Sequence, residues 1–206
     1  MKRLAFMALS AVSLAGLFTD ADARKSYFGV KGGVNVADIT SEDADLDSRN
    51  RFIGGAFYGI DFTDDFGVRL DGLYVQKGAV GPFVAEDGDT HEAIFSLDYL
   101  EFPVLFMVGF PTSEKFAVNL FAGPTFGFNM TGEAEIPEHG ETVDLNAESF
   151  EFGAAFGGGV EYVRSSMSLI GDFRFALGAT SISDDFDGKN SGPAFMVGVK
   201  FPLGAR

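Results

Sequence analysis

The residues able to do chemistry in this chain are few. His91 and His139 are its only histidines, and cysteine is absent. Without Cys there is no thiol nucleophile, no thiolate metal site, no disulfide and no lipid-anchored N-terminal Cys. Acyl transfer needs a nucleophile, a base within hydrogen-bond reach and a group that orients the base. His139 stands next to Glu138 and near Glu141, and His91 near Asp89, but no nucleophile stands out. Asp184-Asp185-Phe186-Asp187-Gly188 resembles the start of a calcium loop, with hard oxygen ligands closely spaced before a glycine. It lacks the full ligand spacing and the closing Glu. Asp184, Asp185 and Asp187 are therefore kept as a candidate cation-binding loop, and no resident metal, cofactor or enzymatic activity is expected. Gly157-Gly158-Gly159 falls inside an alternating segment, where glycine gives room rather than cradling phosphate.

The remaining chemistry is a set of charges at every second position of apolar segments. Lys31, Arg69, Lys77, Arg174 and Lys200 alternate in this way, as do Asp61, Asp71, Glu101, Glu151, Glu161 and Asp172. Period two is the strand period. Eight such runs follow one another. The first sets Phe28, Val30, Val34 and Val36 against Lys31 and Asn35. The third sets Phe66, Val68, Leu70 and Tyr74 against Arg69, Asp71 and Lys77. The fourth sets Leu100, Phe102, Val104, Phe106, Val108 and Phe110 against Tyr99 and Glu101. The seventh sets Leu169, Phe173, Phe175 and Leu177 against Asp172 and Arg174.

The connections alternate in length. Thr63–Asp65, Pro111–Glu114 and Arg164–Ser165 are short. Asp38–Asn50, Ala79–Ala93, Thr131–Ser149 and Thr180–Gly192 are long. Short turns on one side and longer loops on the other form the pattern of outer-membrane barrels. Two folds share eight alternating runs: a soluble barrel with its apolar face inward, and a membrane barrel with that face outward. The chain has 24 Phe, most of them on the apolar face. An eight-stranded barrel has an interior just wide enough for packed side chains, so that many rings cannot fit inside. The expected fold is all-β, an eight-stranded antiparallel up-and-down transmembrane β-barrel. The opposite face then fills the lumen. Its near balance of charge points to a salt-bridged network of Lys31, Arg69, Asp71, Glu101, Glu151, Asp172, Arg174 and Lys200. Arg69 with Asp71, and Asp172 with Arg174, are the pairs expected within it.

The long connections carry the acid. Asp38, Glu42, Asp43, Asp45 and Asp47 lie in the first, Glu133, Glu135, Glu138, Glu141, Asp144 and Glu148 in the third. Together with those of the second and fourth, and against only Arg49 and Lys189, they account for the net charge of −15. So acidic a chain does not suit nucleic acid. These loops fit a solvated surface, a divalent cation or a basic partner. Lys2 and Arg3 precede an apolar stretch from Leu4 to Phe18, and Ala21-Asp22-Ala23 has the small residues of a cleavage site. The organisation expected is a cleaved signal peptide over residues 1–23 and one barrel domain over 24–206.

Leu73-Tyr74-Val75-Gln76-Lys77-Gly78 and Leu97-Asp98-Tyr99-Leu100-Glu101-Phe102-Pro103-Val104-Leu105 resemble the two strongest signatures of the PorT-like outer-membrane β-barrel family. Gly29-Val30-Lys31-Gly32-Gly33-Val34-Asn35 and Ala122-Gly123-Pro124 are similar to further family positions. The resemblance implies an eight-stranded barrel in the outer membrane of a Gram-negative bacterium, in contact with lipid. It carries no catalytic residues. The expected role is envelope structure or partner binding by a monomer with a closed or narrow lumen. The alternatives are a narrow channel, a component of a protein-secretion apparatus, or a soluble periplasmic barrel binding a hydrophobic ligand. Pro103, in the middle of a strand, is expected to force a bulge or local break that aims Tyr99 and Glu101 inward.

Overall fold

The computed structural model describes residues 25–41, 47–84, 90–136, 141–144, 148–180 and 188–203. The strands are β1 (Lys25–Ser41), β2 (Asp47–Asp61), β3 (Phe66–Lys77), β4 (Ala79–Val84), β5 (Thr90–Pro111), β6 (Phe116–Ile136), β7 (Glu141–Asp144), β8 (Phe150–Val163), β9 (Ser168–Gly178) and β10 (Gly188–Leu203). Eight of them close a ring of antiparallel neighbours, β1-β2-β3-β5-β6-β8-β9-β10, sealed by β1 against β10. A closed ring leaves no unpaired edge, which a lipid environment demands. The short strands β4 and β7 lie outside it. They extend the β5 and β6 ladders at the end of the barrel away from the tight turns.

Each tight turn is set by local hydrogen bonds. Thr63 Oγ1 accepts from the Phe66 amide at 3.0 Å, and Ser113 Oγ from the Phe116 amide at 3.1 Å. The third closes with Arg164 N donating to Met167 O at 3.0 Å. The long connections are shorter than their composition suggests. β1 runs on to Ser41, β2 starts at Asp47, β5 at Thr90 and β10 at Gly188, while β6 continues to Ile136. Ladder hydrogen bonds come from the backbone, so acidic side chains on solvated strands do not end them.

The apolar face points outward. Phe28, Phe66, Leu70, Phe106, Phe116, Phe156 and Val197 are all exposed, Val197 at 73%. Alternate positions are buried: Asp71 on β3 to 0%, and Arg174, next to the exposed Phe173 on β9, to 1%. Leu70 lies midway between Phe66 and Tyr74 on the lipid face of β3. Leu70→Arg is expected to cost about 2–4 kcal/mol in bilayer unfolding, and Phe66→Arg, near the turn end, about 1 or less. Equal costs at the two positions would argue against a lipid-facing belt.

Pro103 does not shift the register. On the β3 side, Leu70 pairs with Val104 and Leu73 with Glu101, so the same alignment holds across the proline. What is missing is the pair of bridges between them, because Pro103 has no N–H to give. The one irregularity between β5 and β6 lies at Asp98/Tyr99. Tyr99 and Glu101 therefore face inward by simple alternation with Leu97, Pro103 and Leu105, not by a bulge at the proline.

Candidate functional site

The interior is built in storeys between the turn end and the loop end. At mid-height, β1 supplies Lys31, β3 supplies Arg69 and Asp71, and β9 supplies Asp172. Lys31 Nζ lies 2.7 Å from Asp71 Oδ2 and 3.0 Å from Asp172 Oδ2. Arg69 Nε lies 2.9 Å from Asp71 Oδ1, and its Nη2 lies 2.9 Å from Asp172 Oδ2. Each cation thus bridges both carboxylates, and each carboxylate meets both cations. Phe57 from β2 and Phe121 from β6 clamp the guanidinium of Arg69, with ring centroids 5.5 and 5.0 Å away. Such contacts are stronger when desolvated, as here.

The upper storey, toward the loop end, joins Lys77 of β3, Glu101 of β5, Glu151 of β8 and Arg174 of β9. Lys77 Nζ reaches Glu101 at 2.7 Å and also Glu151. Arg174 Nη2 donates to Glu101 Oε2 at 3.0 Å. Asn190 of β10 donates to Glu151. Lys77 also sits 4.6 Å above the ring of Tyr99. Near the turns, Lys200 of β10 pairs with Glu161 of β8 at 2.5 Å and lies 4.5 Å from the ring of Tyr27. Asp61 lines the same cavity of about 150 Å³.

All eight residues read from the sequence as a lumen network lie inside the barrel, divided among these storeys. Arg69 and Asp71 are partners. Asp172 and Arg174 are not: Asp172 turns to Lys31 and Arg69, and Arg174 to Glu101. Side chains two apart on a strand share a face, yet a long arginine can leave its neighbour for an acid across the bore. Phe57, Phe121, Tyr27 and Asn190 also belong to the site, although the sequence reading did not name them. The signal for Phe57 was its parity with Gly55, Gly59 and Asp61, and for Phe121 its parity with Asn119 and Thr125. Asp184, Asp185, Asp187 and His139 lie outside the described residues. His91 falls on the loop-end stretch of β5.

Chemically, the mid-height and upper storeys each balance two cations against two carboxylates. Every cation is held by an acid, and most also by a ring. Within these two storeys the side-chain charges cancel, and each storey ties several strands to one another across the interior.

A family model described as outer membrane protein beta-barrel domain matches residues 18–184. The chain is similar in structure to Neisserial surface protein A, at 14% identity over 86% of this chain and 97% of that one, with a TM-score of 0.55. It is similar also to a major outer membrane protein from Thermus thermophilus, at 15% identity over 86% and 99% of the two chains, with a TM-score of 0.52. Identities this low establish the fold. No curated protein matches.

Proposed function

Because the chain belongs to the outer membrane protein beta-barrel domain family, we propose that it is a non-enzymatic integral outer-membrane protein whose bore is closed by ion-paired side chains. Its role then lies at its surface, in envelope structure or in docking a basic partner on the acidic loop end. The observation that carries this reading is the pair of charge-balanced storeys, mid-height and upper, stacked across the bore. An exported barrel also needs a leader, and residues 1–23 fit a signal peptide cleaved after Ala23.

Assignment to the PorT-like branch rests on the two strand signatures. They are antiparallel neighbours, with Leu73 opposite Glu101 and Lys77 opposite Leu97. Between them they supply Lys77, Tyr99 and Glu101 to the upper storey, so these motif residues have a structural reason to occur together.

Recording from the purified protein in a planar bilayer tests the closed bore. The expected trace is flat, apart from rare brief openings. Steady conductance at constant voltage would overturn the reading in favour of a narrow channel.

A further inference from the structure

The upper storey encloses a cavity of about 10 Å³, lined by Lys77, Glu101, Glu151, Arg174 and Asn190 among others. Arg174 is 1% exposed and Asn190 3%. Arg174 commits Nη2 to Glu101, while its Nε and Nη1 meet no hydrogen-bond partner. Asn190 commits Nδ2 to Glu151 and leaves Oδ1 without a donor. Two donor nitrogens and one amide acceptor thus remain on buried side chains around one small space. Buried polar groups of this kind are satisfied in native proteins by protein or by ordered water. A cavity of that size is about that of a single water molecule.

We infer that one ordered water sits in the upper storey, accepting a hydrogen bond from Arg174 and donating one to Asn190 Oδ1. The ligand chemistry follows from the lining. An anion would satisfy Arg174 but has no hydrogen for Asn190 Oδ1, and it would face Glu101 and Glu151. A metal cation would face Arg174 and Lys77. Water alone both accepts and donates. It links β9 to β10 above the mid-height storey, where Arg174 and Asn190 make no bond to each other. This site stands whether or not the barrel conducts.

Crystals of the barrel, grown with and without a bromide soak, test it. The expected result is a density peak within hydrogen-bond distance of Arg174 and of Asn190 Oδ1, with no anomalous signal after soaking. In Asn190→Leu, which removes the acceptor and fills the space, the peak is lost. An anomalous peak in the cavity would identify an anion and overturn the inference. So would an empty cavity in the wild-type map, or a protein group occupying it.

Discussion

Arg69→Ala is expected to lower the unfolding free energy of the barrel in detergent by about 3–5 kcal/mol, the usual range when one partner of a buried ion pair is removed. Arg69 is 4% exposed, and it touches Asp71 and Asp172 at once. Without it, the mid-height storey keeps both carboxylates and only Lys31. One negative charge is then uncompensated in a low-dielectric interior, and the two rings that clamp the guanidinium lose their packing partner. Arg69→Lys should be intermediate. It restores the charge but not the planar fork that reaches two acids and stacks between Phe57 and Phe121. The measurement is the urea midpoint of the refolded protein, read by loss of the heat-modifiable gel band. An unchanged midpoint in Arg69→Ala would mean that water reaches Asp71 and Asp172, and the closed-bore proposal would fall with it.

Much of the fold was legible because strand alternation is local. Phe28, Val30 and Val34 on one face of β1, with Lys31 and Asn35 on the other, can be read from five positions without knowing any neighbour. The tight turns were legible for the same reason: Thr63 and Ser113 bond to amides two or three residues away. The site was legible only as a set. Which acid a lysine meets depends on how the strands tilt and stagger around the ring, and Lys31 finds Asp172 at a separation of 141 residues. No spacing in the sequence encodes that contact. The pairing of Asp172 with Arg174 failed on this point. Phe57 and Phe121 were hidden by their own chemistry, since phenylalanine on a membrane barrel reads first as lipid-facing. The acid-rich strand extensions were hidden by theirs, because Asp and Glu are poor strand formers although the ladder there is held by backbone alone. Pro103 was legible in half: the β3 ladder does break beside it, but no bulge forms there. Losing one donor weakens a ladder locally, but β3 and β6 hold β5 from both sides and keep its register.

Gly33→Ala is the second change expected to have a large effect, and its neighbour supplies the control. Gly33 lies on β1, opposite Met196 on β10, in the seam that closes the ring. A Cβ at Gly33 would stand 1.8 Å from Phe195 O and 2.8 Å from Met196 Cα. Both atoms are backbone, so no side-chain rotation relieves the contact. The strands must part, with loss of ladder hydrogen bonds where the barrel closes. Ordinary overpacking costs about 1–3 kcal/mol; a clash with a closing strand should exceed it. At Gly32, one residue away on the outward face, the closest atom to an added Cβ is Ile53 O at 3.6 Å, an ordinary contact. Gly32→Ala should therefore leave the midpoint unchanged or raise it slightly, since alanine loses less backbone entropy on folding. Parallel refolding of the two variants separates steric closure from strand propensity, because both exchange the same residues on the same strand. If both refold with the wild-type midpoint, the β1–β10 seam is looser than this packing requires. If both fail, propensity rather than contact with β10 governs this stretch of β1. Failure of Gly33→Ala alone locates the constraint in the seam, where a single methyl group decides whether the first and last strands can meet.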